Sequence, residues 1–237
     1  MDLGIQGKIA FITGGSRGLG KAAALSLANE GATVGICGRD KNTINSTITE
    51  LQNFGITAKG FVADISDLSQ LKDLHSAVIR ELGEIEILVN NVGGSKAKGD
   101  FIETTLKGFQ ETFDLNLFGS FEMMKLVTPS MISKKWGRVI NIASIWGREY
   151  GGNISYMAAK AALIAATKHA GVSLGKYGVL VNSIAPGSVA HPQGSWEKFQ
   201  DENTKETVDN FITNNLPMGK FGWPEPVGDL VAFLSST

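Results

Sequence analysis

The chain has 237 residues, a formal net charge of −1 and a single cysteine, Cys37. That length suits one domain with an ample core, and no lysine–arginine stripe marks a nucleic-acid or anionic-membrane partner. One cysteine excludes a disulfide framework within the chain, no apolar run reaches membrane-spanning length and no secretory leader opens it, so a reducing, cytoplasmic setting is expected.

Taken in chain order, residues 8–13 read as a strand and residues 14–20 (GGSRGLG) as a glycine-rich turn. Residues 21–28 read as helix, Gly31 closes it, and 32–37 form a second strand. A third strand is expected at 58–63. An amphipathic helix follows over 67–82, with Leu68, Leu71, Leu74 and Val78 on one side. Residues 86–89 read as a fourth strand, 105–128 as a long helix ended by Pro129, and 138–142 as a fifth strand. Helix at 156–177, strand at 179–184 and helix at 225–234 complete the pattern. Such alternation predicts a single-domain α/β fold, a doubly wound parallel sheet of Rossmann type in three α/β/α layers.

In such sheets ligands bind beyond the carboxyl ends of the strands. The candidate residues fall there: residues 14–20 after the first strand, Arg39 after the second, Asp64 after the third, Asn90 after the fourth, Ser144 after the fifth and Pro186 after the sixth. Glycines let a backbone approach a pyrophosphate closely, and a helix N-terminus offers open N–H groups with partial positive charge. The spacing of Gly14, Gly18 and Gly20 differs from G-x-G-x-x-G, and a plain structural turn is the alternative. Tyr156 and Lys160 stand at i and i+4 of an alanine-rich helical run and so share a face. A cation beside a phenol, whose ordinary pKa is about 10, favours the phenolate and makes it usable in acid–base work. Such a pair recurs by chance in helices, so the upstream turn is what gives it weight.

Together these pieces resemble the short-chain dehydrogenase/reductase family of the single-domain type. The resemblance is carried by residues 13–20 (TGGSRGLG), Asp64, residues 90–93 (NNVG), Asn116, Ser144, the Tyr156–Lys160 pair and Pro186-Gly187. They arrive in the family's order from near the first residue to the last, and the nearest group in look is the 3-oxoacyl-carrier-protein reductases. The resemblance implies a nicotinamide cofactor and reversible alcohol–carbonyl chemistry. It makes Tyr156 the general acid or base. Lys160 lowers the phenol's pKa and holds the nicotinamide ribose, and Ser144 hydrogen-bonds the substrate oxygen. Asn116 shapes its helix so that a backbone carbonyl holds a water in a proton relay to the lysine. The implied cofactor residues are Gly14, Ser16, Arg17, Gly18, Leu19 and Gly20 in the turn, then Arg39, Asp64, Ile65, Asn91, Pro186 and Gly187, with Tyr156 and Lys160. Asp64 could instead cap the helix beginning near Asp67. Asn90 is expected to brace the central strands.

Strand two bears on the choice of cofactor. The family's acidic position falls on Gly38, Arg39 follows it, and Arg17 adds a second cation, so NADP(H) is the expected cofactor. NAD(H) stays open through Asp40, one residue further on. Trp146, Tyr150 and Trp196 are the expected substrate contacts, within segments 93–101, 145–154 and 188–215, and suggest a partly apolar carbonyl compound. His191 departs from the family's usual threonine and is assigned no role. No metal motif is present. The alternative readings are an NAD-dependent sugar or polyol dehydrogenase and a non-catalytic nicotinamide sensor. The resemblance also implies a homodimer or homotetramer through helices 106–129 and 158–177. It sets a six-stranded sheet here against a seventh strand in relatives, because the chain stops at Thr237.

Overall fold

The computed structural model describes residues 2–237. Its central strand β1 (Ile9–Thr13) pairs in parallel with β2 (Thr33–Gly38) on one side and β4 (Ile87–Asn90) on the other. β3 (Ala58–Val62) extends one edge, and β5 (Gly137–Ile142) and β6 (Val179–Ile184) the other. The order β3-β2-β1-β4-β5-β6 is all parallel and reverses direction between β1 and β4, which opens a crevice beyond their carboxyl ends. β4 and β5 are buried along their whole length, as expected for strands with helices on both faces.

One face is covered by α1 (Gly18–Asn29), α2 (Lys41–Gln52) and α9 (Glu225–Leu234), whose Leu27, Ile44, Leu51 and Val231 meet Ile12, Ile36 and Ile140 of the sheet. The other carries α3 (Leu71–Leu82) and α5 (Gly119–Lys134), with Leu74, Val78, Val127 and Met131 packed on Phe11, Leu88 and Val139. Each of these large side chains contributes roughly 1.5–3 kcal/mol through removal from water. α6 (Ile154–Leu174) adds Ala159 and Leu163 to the buried set.

Three features differ from the sequence reading. The expected helix 105–128 is interrupted: α4 (Leu106–Phe113) passes through a wide π turn, Asp114–Phe118, before α5 begins. Pro129 does not end α5, which runs on to Lys134 and stops where Lys135 turns left-handed at φ 53°. A proline inside a helix costs about 3 kcal/mol, and burial of Val127 and Met131 on either side of it is of the same size or larger. Three helices fall where no helix was read: α2, α7 (Ser195–Glu202) and α8 (Lys205–Asn215). α2 is rich in Thr and Asn, which are poor helix formers. It is fixed by Asp40, which caps it, and by Ile44 and Leu51 on its buried face.

Candidate active site

The glycine turn leaves β1 against a scaffold of side chains. Thr13 Oγ1 accepts from Asn91 N at 3.0 Å and Val92 N at 3.3 Å. Asn91 Nδ2 donates to Thr13 O (3.0 Å) and Gly14 O (3.1 Å), so the end of β4 braces the turn from below. Arg17 stands at the N-cap of α1 with no side-chain cap bond, which leaves first-turn N–H groups open to an anion.

Beyond the strand ends lies a cavity of about 650 Å³. Gly14, Ser16, Arg17 and Leu19 line its near end, with Arg39, Asp64, Ile65 and Asn91 beside them. Ser144, Tyr156, Lys160, Pro186 and Gly187 line the far end. Gly18 and Gly20 form the back of the turn and do not reach the wall. Asp64 Oδ1 accepts from Ser66 N (2.9 Å) and Oγ (2.7 Å), and Arg39 Nη1 approaches its Oδ2 at 4.0 Å. Burial pushes the Asp64 carboxyl up, but the Ser66 hydrogen bonds and the Arg39 and Lys96 cations outweigh it and hold the group below its ordinary value. The helical turn that follows is capped by Asp67, which accepts from Ser69 N, so Asp64 is not its cap. Asp40 accepts from Thr43 N at 2.7 Å as the cap of α2.

At the far end, Ser144 closes β5 and starts a short 3-10 turn, Ile145–Gly147, its Oγ accepting from Trp146 N at 3.2 Å. Tyr156 sits in the first turn of α6 and Lys160 one turn later. Lys160 Nζ donates to Ile142 O at 2.7 Å and is fully buried, and burial lowers its pKa to about 7. Tyr156 is raised from its ordinary value by burial, and a hydrogen bond with Ser144 works in the opposite direction. The expected pull of the lysine on the phenol is therefore not visible in this structure: Nζ lies 5.6 Å from the ring centroid, and desolvation dominates both groups. Gly93 makes the approach possible, since a Cβ there would lie 2.9 Å from Lys160 Nζ and 3.0 Å from Asn116 Oδ1.

Asn116 is buried behind this pair, in the π turn rather than on the cavity wall. Its Nδ2 donates to Gly94 O (2.6 Å) and to Thr112 O (2.7 Å), and its Oδ1 accepts from Gly94 N (3.1 Å). The side chain thus takes a carbonyl that an α-helical ladder would use for Asn116 N, which accounts for the local change of pitch. Asn90 spans the sheet: its Nδ2 donates to Ser120 O (3.2 Å) and Asn141 Oδ1 (2.9 Å), and Asn141 Nδ2 donates to Thr167 Oγ1 (2.8 Å). Asn141 and Thr167 were not singled out in the sequence. Their signal was the β4–β5 register, which sets Asn90 beside Asn141.

Trp146 stands edge-on to Tyr156, ring centroids 6.2 Å apart, and 5.9 Å from Trp196. Trp196 is held among Phe199, Phe211 and Phe221 at 5.0–5.7 Å. Both tryptophans line the cavity; Tyr150 does not. It is 95 % exposed, because the chain leaves the 3-10 turn at Arg148 and carries the phenol outward before α6 begins. His191, assigned no role from the sequence, lies on the cavity wall against Gly18. Among the described residues no cluster of three His, Cys, Asp or Glu side chains could hold a metal ion, and no helix is long and apolar enough to cross a membrane.

A family model described as short chain dehydrogenase matches residues 8–203. The 3-oxoacyl-[acyl-carrier-protein] reductase FabG of Aquifex aeolicus (strain VF5) is 32% identical over 238 residues, covering 100% of this chain and 93% of that protein. L-sorbose reductase from Gluconobacter frateurii, solved in complex with NADPH and L-sorbose, superposes with a TM-score of 0.92 at 26% identity, over 100% of this chain and 92% of its own. An NAD+-bound xylitol dehydrogenase superposes with a TM-score of 0.89 at 26% identity, over 98% and 94%.

Proposed function

The chain belongs to the short-chain dehydrogenase/reductase family, and on that premise we propose that it interconverts a carbonyl and a secondary alcohol using NADP(H), with Tyr156 moving the proton. The observation that carries this reading is the convergence of Ser144, Tyr156 and Lys160 at one end of a cavity whose other end is an uncapped helix N-terminus. The residues suit a dinucleotide. The open N–H groups of α1 would receive a pyrophosphate, Asp64 and Ile65 would hold the adenine, and Lys160, Pro186 and Gly187 would hold the nicotinamide ribose end. When bound, the cofactor supplies or accepts the hydride.

The protein's part is orientation and the proton. Ser144 Oγ holds the carbonyl oxygen, and Tyr156 Oη donates to it as reduction proceeds, or takes the proton back in oxidation. Lys160, whose pKa burial lowers to about 7, would return a proton toward the phenol from its ammonium form, with Asn116 beside it across Gly93. Trp146 and Trp196 give the substrate end an apolar wall, which suits an organic carbonyl compound with a flat or apolar body, a 3-oxoacyl thioester among them. The exposed Phe118 and Phe121 on the α5 face support self-association as a homodimer or homotetramer.

Three features support NADP(H) over NAD(H). Gly38 ends β2 without a carboxylate, Arg39 follows it 64% exposed, and Asp40 is engaged as a helix cap. A 2′-phosphate would meet a guanidinium there. Steady-state kinetics with both cofactors on a ketone panel tests the reading. NADPH is expected to be preferred at least about tenfold, and Arg39→Ala should remove most of that preference while leaving NADH nearly unchanged. Equal losses for the two cofactors would remove the basis for the choice. Cofactor binding without turnover on any carbonyl would favour a nicotinamide sensor.

A further inference from the structure

We propose that Thr112 is a positioning residue for the reaction: its hydroxyl latches the loop after β4 to the first turn of α6 and so holds Tyr156 in place against Ser144. The proposal rests on the carbonyl–alcohol reading of the site. Its warrant is a hydroxyl used to its full capacity. A threonine hydroxyl has one proton to give and two lone pairs to receive with. Thr112, fully buried in α4, gives its proton to Gly108 O at 2.7 Å and receives from Lys96 N at 3.0 Å and from Ser155 Oγ at 3.2 Å. Three segments therefore meet on one oxygen. They are α4 itself, the loop that carries Gly94, Ser95 and Lys96 along the cavity wall, and the start of α6.

Each partner bears on the site. Ser155 directly precedes Tyr156 and is itself fully buried. Its hydroxyl proton is shared between Thr112 Oγ1 and Asn153 Oδ1, the latter at 2.6 Å, and its N–H donates to the same Oδ1 at 2.9 Å. Asn153 caps α6 and reaches back to the loop, its Nδ2 donating to Gly99 O at 3.0 Å. On the other side, Thr112 O accepts from Asn116 Nδ2 at 2.7 Å, and Asn116 holds both the N–H and the carbonyl of Gly94. Gly108 lets the loop come this close, since a Cβ there would fall 3.1 Å from Ala97 Cα. Ser144 and Tyr156 hydrogen-bond across two separate elements, the end of β5 and the first turn of α6. Their alignment therefore depends on what fixes that first turn, and a misplacement of about 1 Å in a reacting group can cost about 10²-fold in rate.

Four variants test this. Thr112→Val keeps the shape and removes the hydroxyl, Thr112→Ser keeps the hydroxyl, Ser155→Ala removes the other end of the link, and the fourth combines Thr112→Val with Ser155→Ala. They are compared with wild type by urea denaturation, by NADP+ titration and by single-turnover reduction of the panel ketone that wild type reduces fastest. Thr112→Val should slow the chemical step by about tenfold with NADP+ affinity within about twofold, and Thr112→Ser should recover most of the rate. Ser155→Ala should slow the step in the same direction, and the double variant should be within about twofold of the slower single one, because the two residues act as a unit. A Val variant that is less stable but equally fast when folded would make Thr112 a packing residue. That result, a Ser variant as slow as Val, or losses that multiply in the double variant overturns the proposal. Should Thr112→Val not fold, a folded Ser155→Ala with the wild-type rate overturns it alone. A wild-type chain that reduces no ketone removes the functional reading and this inference together, whereas an active wild type with an unaltered Val variant removes this inference only.

Discussion

The floor and the roof of the cavity are built by different physics. The floor is the carboxyl end of the sheet: Thr13, Asn90, Asn91, Asn141 and Ser144 are tied to backbone or to one another, and all but Asn91 are less than 10 % exposed. The roof is α7 and α8, which have no buried residue at all and hold together through the ring contacts of Trp196, Phe199, Phe211 and Phe221. Buried, hydrogen-bonded groups are costly to displace, whereas elements with little buried area open at low free energy. The floor can therefore hold reacting groups in place while the roof admits and releases ligand.

The sharpest way to break this division is at Tyr156, the floor's proposed proton carrier. Tyr156→Phe keeps the ring, and with it the edge contact to Trp146, but removes the hydroxyl. Turnover should fall by about 10³-fold, in the range that a positioned general acid contributes, while cofactor affinity changes less than about threefold. Single-turnover kinetics and fluorescence titration read the two separately. Retained turnover would show that another group moves the proton.

The floor holds its lysine at a cost in stability. Lys160 is buried without an acidic partner and its pKa falls to about 7 against an ordinary 10.5. The sign follows from proton counting. Between those two values the unfolded chain carries the proton and the folded one does not, so stability rises with pH across that window. Below pH 7 both states are protonated and the full penalty of burying the charge is present. Lys160→Met, which loses the charge and keeps a similar length, should therefore stabilise the cofactor-free protein at pH 6 by on the order of a few kcal/mol, less the lost bond to Ile142 O. The gain should shrink steadily toward pH 10. Urea denaturation at several pH values measures it, and a gain independent of pH would mean that Lys160 is not held neutral.

How much of this was legible in the sequence divides along the same line. The floor was readable because strand ends are marked by short apolar runs and its chemistry by residue type: Gly14, Ser16, Arg17, Leu19, Ser144, Tyr156 and Lys160 all line the cavity beyond the strand ends. What was missed there lay across strands. Asn141 and Thr167 join Asn90 through sheet register, and Asn116 works through a π turn that no spacing announces. The direction of the Tyr156 shift was also missed, since burial is a property of the folded environment and not of an i, i+4 pair. The roof was barely readable: α7 and α8 bury no stripe, so they carry little of the periodicity that marks a helix. Aromatic residue type picked out both Trp196, which lines the cavity, and Tyr150, which does not, because an exposed and a wall-lining aromatic look alike in one dimension.

The smallest expected effect belongs to the roof and is the one that separates it from the floor. Trp196 is only partly buried, yet it is the hub through which Phe199, Phe211 and Phe221 meet Trp146 above Tyr156. Aromatic pairs of this kind contribute about 0.5–1.5 kcal/mol each beyond area, but here they join α7 and α8 to the body rather than supporting the sheet. Trp196→Ala should therefore change global stability by less than about 1 kcal/mol, since the sheet and its two cores are untouched. KM for an apolar ketone should rise several-fold through the lost wall, with kcat altered less, because Ser144 and Tyr156 keep their support. Amide exchange should quicken in 195–215 and stay unchanged in β4 and β5. If the variant instead unfolds with the sheet, losing several kcal/mol, the aromatic cluster is part of the global core and the two regions are one cooperative unit.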